Sequence, residues 1–323
     1  MESNNTPLVS ICCMTYNHEP YIRQCIEGFL IQKTSFSFEI IIHDDASSDK
    51  TADIVREYSM KYPTIIHPIL QVENQFSKGV KIFQTYVQHR IKGKYIAFCE
   101  GDDYWIDPQK LELQKDYLEA NPMIGLVYTN VNCLHQETGL LEKDFFSSKK
   151  SYIKNTFEDF IINGWFIAPC TWMFRKDFYL QILPLLRKSY IVGDFPLLIC
   201  LSKMAGVSYI DRVTAIYRIL KNSASHFNEI EKKYQFEKGL YKIQMDYATL
   251  FDCSHETIDK IKEHYFHSIF VSACLANEKE LKNEAYLFLK NAKRLSLKNK
   301  LVFGLSKISI VRFLLKYYKR KRN

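Results

Sequence analysis

The 323-residue sequence has no apolar run approaching the roughly 20 residues that a membrane-spanning helix needs. It has no C-x-x-C pair, and its nine cysteines, an odd number, are scattered mostly through apolar stretches. That argues against a zinc site or a disulfide framework and predicts buried thiols in a reducing compartment. The opening MESNNTPLVS lacks a basic start followed by an apolar stretch, so no signal peptide is legible. The expectation is a cytoplasmic chain that does not cross a membrane. Glycine is sparse, at 11, and missing where phosphate chemistry would use it. No G-x-G-x-x-G follows the first apolar segment and no G-x-x-x-x-G-K-[ST] occurs anywhere. A backbone without those glycines does not readily wrap a diphosphate, so a phosphate-bearing ligand needs cationic help.

Acid is missing from one end. From Ala285 to Asn323 there are 12 basic residues and no acidic ones, leaving 32 basic and 36 acidic in the rest. The net charge of +8 therefore comes from one end and gives no reason to expect nucleic acid as a partner. A basic end on a mildly acidic body suits an anionic surface, such as phospholipid headgroups. Leu301–Asn323 mixes apolar residues with Lys307, Arg312 and a terminal Lys319-Arg320-Lys321-Arg322. That pattern fits an interfacial helix, peripheral on the inner face of the membrane, and equally a helix packed on the body with a basic end.

What is present is globular: 47% hydrophobic and 25% charged residues exclude a disordered or fibrous chain. The first half alternates short apolar runs with helical periodicity. Leu8–Met14, Phe38–His43, Thr64–Gln71 and Lys94–Cys99 read as strands. Glu19–Gln32, Asp49–Lys61 and Lys78–Ile91 read as helices between them. The pattern predicts an α/β fold, a mainly parallel sheet flanked by helices. Later, Asp107-Pro108 opens a helix to about Ala120, and Ile124–Cys133, Cys170–Phe174 and Val207–Tyr217 read as extended. From Phe227 onward everything reads helical. The expected division is a domain over 1–227, with halves of about 7–105 and 106–227, and a helical extension over 228–323.

Three of the four early strands end in polar constellations, where ligands meet an open sheet. These are Thr15-Tyr16-Asn17-His18, Asp44-Asp45-Ala46-Ser47-Ser48-Asp49 and Glu100-Gly101-Asp102-Asp103. Three carboxylates in four residues repel one another without a cation, and oxygen ligands favour Mg²⁺ or Mn²⁺ over zinc. The same acids also suit a solvated turn. Asp44 and Asp45 could accept from a base N–H or cap the next helix; Asp49 reads as a cap.

In this order, MTYNHEPYIRQCIEGFLIQ, EIIIHDDASSDKT and GKYIAFCEGDDYW resemble the family 2 glycosyltransferases, inverting enzymes with a GT-A fold. The resemblance spans about residues 7–226. It implies a nucleotide-diphospho-sugar donor, a UDP-sugar, with Mn²⁺ or Mg²⁺ on a D-x-D-like element. It implies a saccharide or lipid-linked acceptor in cell-surface polysaccharide biosynthesis. By position, Thr15, Tyr16 and Asn17 would line the nucleoside, and Asp44 or Asp45 would meet uracil or ribose. Asp102 and Asp103 would form the D-x-D element, with Asp103 the foremost metal ligand. The family's Gly-x-x-x-Ala-Arg-Asn segment is absent, and Lys78 or Lys81 stands in its place for the diphosphate.

Inversion also needs a general base. Val192-Gly193-Asp194-Phe195-Pro196 resembles the family's E-D-like motif, with Gly193 where Glu is usual, leaving Asp194 as base or helix cap. Arg218, after Tyr217, and His226 resemble positions near the diphosphate or metal. Trp172 could stack on an acceptor sugar or sit in the core. Two alternatives stand beside this reading. A sugar-phosphate nucleotidyltransferase would carry a glycine-rich basic loop after the first strand, and a non-catalytic glycan-binding protein would not need Asp102, Asp103 and Asp194 together.

Overall fold

The computed structural model describes residues 6–148, 155–164, 167–186, 190–221, 230–276, 278–292, 294 and 297–308. The expected boundary near Asn228 lies outside them. The chain divides into two compact units, Met1–Phe157 with Phe166–Ile219, and Glu158–Trp165 with Leu220–Asn323.

In the first unit β1 (Val9–Thr15) is buried almost throughout, as a central strand covered on both faces must be. It is followed by α1 (Ile22–Leu30), whose Ile22, Cys25, Ile26 and Phe29 recur at helical spacing and are all buried. Then come β2 (Phe38–Asp44), α2 (Thr51–Lys61), β3 (Ile66–Leu70) and β4 (Tyr95–Phe98). Asp49, expected as a cap, stands one residue ahead of the Lys50 N-cap position and accepts from Thr51 N, the first helical amide, at 2.9 Å. The helix predicted over Lys78–Ile91 does not form as one piece. Short turns at Phe76–Lys78, Phe83–Val87 and Gln88–Arg90 replace it. Gly79 is left-handed at φ 76°, and the β-branched Val80, Ile82, Thr85 and Val87 disfavour a continuous helix.

The chain continues through β5 (Tyr104–Trp105), α3 (Lys110–Ala120), β6 (Ile124–His135), β7 (Leu140–Glu142) and α4 (Phe145–Ser148). After α5 (Phe157–Asn163) come β8 (Trp172–Arg175), α6 (Lys176–Ile182), α7 (Asp194–Met204) and β9 (Gly206–Ile219). The sheet runs β3-β2-β1-β4-β8-β6-β9-β5, with β7 on β6. The α/β sheet flanked by helices is the one the sequence predicts. Its parallel character holds across β3-β2-β1-β4; beyond that β8 lies antiparallel between β4 and β6, and the sheet is mixed. Eight of the nine cysteines are buried.

The second unit is helical: α8 (Ile230–Leu250), α9 (His255–Ala276), α10 (Lys279–Asn291) and α11 (Leu297–Leu305). Its core gathers Tyr234, Tyr265, Phe266, Ile269, Phe270 and Leu289. No helix among the described residues is long and apolar enough to cross a membrane.

Candidate active site

The carboxyl ends of β1 and β4 lie side by side where the strand order reverses, with β2 and β3 continuing on one flank only. That is the crevice at which ligands meet open α/β sheets. Gly101 N donates to Met14 O at 3.0 Å, so the turn after β4 runs on along β1. The close approach requires glycine: a Cβ on Gly101 would lie 2.6 Å from Thr15 Oγ1 and 2.9 Å from His18 Nδ1.

This turn carries Glu100, Asp102 and Asp103, with one carboxylate oxygen from each within 4.8 Å of the others. Glu100 is exposed, Asp102 half-buried and Asp103 buried. Enclosure by the protein, together with Asp102 and Asp194, pushes Glu100 up to about 8. Glu100 is nevertheless open to water, as a group on a cleft floor is, so solvent screens part of that effect. Burial and the neighbouring Asp102 hold Asp103 well above the ordinary carboxylate range, against the Arg218 N–H that donates to its Oδ1 at 2.8 Å.

Three carboxylates crowded this closely are a donor set for a hard divalent cation. Beside them Thr15 Oγ1 and His18 Nδ1 are buried without a hydrogen-bond partner. The residues fit Mg²⁺ or Mn²⁺: Glu100 and Asp102 offer the accessible oxygens, and Asp103 is the most enclosed of the three. His226 lies outside the described residues.

The other strand ends form a wall. Tyr16 stands 45% exposed next to the buried Thr15. Asn17 adopts a left-handed φ of 54°; its Oδ1 accepts from Ser48 N at 2.8 Å, and its own N donates to Ser47 Oγ at 2.8 Å. Asp44 is buried and accepts from Ser47 N at 3.0 Å and from Ser47 Oγ at 2.5 Å. Asp45 is buried and accepts from Gln75 N and Phe76 N, each at 2.9 Å. These two carboxylates are engaged in shaping the loops after β2 and β3.

Asp194 opens α7, and its Oδ1 accepts from Phe195 N at 2.9 Å. Burial pushes its carboxyl up to about 6, with Lys81 pulling the other way. Lys81 is itself half-buried and donates to the Tyr190 carbonyl, which ties the loop after β3 to the approach of α7. Lys78 is exposed and pairs with Glu73.

One sequence expectation is corrected, and a second residue gains a role. Trp172 is 0% exposed on β8 and stacks on Phe98 at 6.4 Å, a core position from which it cannot platform a sugar. Arg218 is buried on β9 and donates to the Asp102 carbonyl and Gln24 Oε1. Its guanidinium lies 5.0 Å from the Tyr21 ring centre and 4.4 Å from that of Tyr104. It holds the acidic turn through the Asp102 carbonyl. Sequence reasoning missed that clamp, and it passed over His18. The signal for His18 was its place directly after Thr15-Tyr16-Asn17.

The model of the family described as Glycosyl transferase family 2 matches residues 10–183, more than half of the chain. The chain belongs to that family. An uncharacterized Mycobacterium tuberculosis protein is 40% identical over 137 residues, covering 42% of this chain and 38% of that one. The chain thus spans under two-fifths of the length of the first curated relatives it matches. A putative teichuronic acid biosynthesis glycosyltransferase of Bacillus subtilis is 29% identical, covering 69% of this chain and 83% of that one. An Escherichia coli UDP-Glc:α-D-GlcNAc-diphosphoundecaprenol β-1,3-glucosyltransferase is 32% identical, covering 50% and 52%. Among solved structures, Staphylococcus aureus TarS 1–349 with UDP-GlcNAc superposes with a TM-score of 0.57 at 14% identity, over 88% of this chain and 91% of that one. The Pyrobaculum calidifontis mannosyltransferase with GDP-Man and Mn²⁺ gives 0.58 at 14%, over 98% and 88%. At that identity these likenesses show the fold alone.

Proposed function

We propose that the protein is an inverting glycosyltransferase that moves a sugar from a UDP-linked donor to a saccharide or lipid-linked saccharide acceptor. The observation that carries this is the Glu100–Asp102–Asp103 cluster at the strand-order reversal, with the raised Asp194 carboxylate acting on the same site. The family and the UDP-sugar relative support the donor class. Glu100, Asp102 and Asp103 would hold a divalent cation, which when bound supplies charge neutralisation at the leaving diphosphate.

This chain's own residues do the rest. Tyr16 offers its exposed face to the base, in the wall that Asn17, Asp44 and Asp45 fix. Asp194 accepts the proton of the acceptor hydroxyl as that oxygen bonds to the anomeric carbon and the carbon–diphosphate oxygen bond breaks. A carboxylate near 6 is ionised at neutral pH, yet more basic than an ordinary aspartate.

The test is UDP release across a panel of UDP- and GDP-sugars, with and without EDTA. Asp194→Asn should retain donor binding and lose about 10²–10⁴ in turnover. Donor binding and turnover like the parent in both Asp194→Asn and Asp103→Ala would sink the assignment. Pyrophosphate release from UTP and a sugar 1-phosphate would favour a nucleotidyltransferase instead.

A further inference from the structure

The second unit presents a surface that sugar transfer does not use. α11 is apolar on two sides. Its inner side packs Val302 and Phe303 against the helical core, with Phe303 4.1 Å from the Tyr286 ring and 6.3 Å from that of Phe270. Its outer side is also leucine. Leu297, Leu301 and Leu305 are 78%, 64% and 40% exposed, and Ile308, just past the helix, is 51% exposed. Spacings of four residues put the three leucines on one stripe. A surface helix ordinarily turns polar groups outward, and a contiguous apolar stripe in that place marks an interaction surface.

The surrounding charge says what kind. Lys300 is exposed beside the stripe, Lys307 is exposed with its ammonium 5.1 Å from the Phe303 ring centre, and Arg294 turns to Glu263 at 3.1 Å. From Ala285 onward the chain has 12 basic residues and none acidic. A second copy of this stripe, or the chain's own residues 309–323, would bring like charge against it. The complementary surface is apolar in its interior and anionic at its edge. We propose that the outer face of α11 docks on an anionic lipid bilayer, with Leu297, Leu301 and Leu305 entering the headgroup boundary and the lysines meeting phosphate.

The experiment uses the full chain and sedimentation with phosphatidylglycerol–phosphatidylcholine vesicles, against pure phosphatidylcholine. The protein should bind the anionic vesicles, and binding should weaken in about 0.5 M salt. The triple variant L297S/L301S/L305S should bind at least about tenfold less. Because those side chains are exposed, its thermal midpoint should stay near the parent's, which separates lost docking from lost folding. An environment-sensitive dye on L301C should shift to the blue with anionic vesicles only. No binding to anionic vesicles would overturn the proposal. So would equal binding by the triple variant, which would leave the basic residues alone responsible. A parent dimer that the triple variant abolishes, with no vesicle binding, would make the face a contact between copies and likewise overturn it. No outcome bears on the donor site, so this inference and the sugar-transfer reading fail separately.

Discussion

Two groups of carboxylates, two strands apart, have opposite fates. Asp44 and Asp45 follow β2, and each finds donors at once: Ser47 for the first, and the N–H groups of Gln75 and Phe76 for the second. Glu100, Asp102 and Asp103 follow β4 and mainly face one another within 4.8 Å. Both groups sit at the functional edge of one sheet, so position does not separate them. What separates them is supply of N–H groups. The loops after β2 and β3 fold back over their acids, whereas the turn after β4 leads straight into β5 and leaves Glu100 exposed and Asp102 half-exposed, with Asp103 buried on the Arg218 N–H. An acid pair at a strand end is thus a ligand candidate only where the following backbone leaves its oxygens unanswered.

Exchanging one acid from each group breaks or sharpens this contrast. Asp102→Asn should lower metal-dependent UDP release by at least about a hundredfold, since it removes charge where charge develops. Arg218→Gln comes next. It leaves every acid in place but removes the clamp on the Asp102 carbonyl and the stacking on Tyr21 and Tyr104. Supports of this kind cost about 10–100-fold in metal affinity when lost. Mn²⁺ titration should show that loss, and excess Mn²⁺ should restore much of the rate. Asp45→Ala should do the reverse, leaving Mn²⁺ affinity unchanged. Losing its two backbone bonds costs about 1 kcal/mol, as loss of a cap does. That is about 2–4 °C in thermal midpoint for a domain of this size. A metal defect in Asp45→Ala would mean that the two groups are not distinct.

The sequence made the parallel half of the sheet legible because a strand covered on both faces is a short, nearly continuous apolar run. Leu8–Met14 and Phe38–His43 fall within a residue of the observed strands. β5 was invisible, since two residues have no period. Lys78–Ile91 had apolar spacing without the backbone preference to follow it. At the site, the acids could be seen as a cluster, but not which had partners: Gln75 and Phe76 reach Asp45 across 30 residues. Arg218 was legible as a motif member, while the two rings that hold it, Tyr21 and Tyr104, are far from it in the chain. Trp172 looked the same in either role, because aromatic residues in extended runs serve core and sugar alike.

The smallest effect concerns Asp194, an acid intermediate between the two groups, with one oxygen answered by Phe195 N and its carboxyl still raised to about 6 by burial. Its ordinary value is 3.8, so between about 3.8 and 6 the folded protein holds a proton that the unfolded chain has lost. The stability it contributes is present below that window and is lost as pH rises through it. Activity runs the other way, because the proton-accepting form appears as pH climbs past about 6. Asp49 supplies the opposite control. Although burial opposes it, hydrogen bonds from Thr51 and the Glu19 N–H hold it below its ordinary value, so its stability is lost as pH falls. Thermal midpoints from pH 4 to 7, compared between parent and Asp194→Asn, isolate the first contribution. The variant should lose the part of the slope that declines toward pH 6, and the parent's kcat/KM should rise over the range in which that stability falls. Identical slopes in the two proteins would mean that Asp194 titrates as an ordinary surface acid, and it would then belong with neither group.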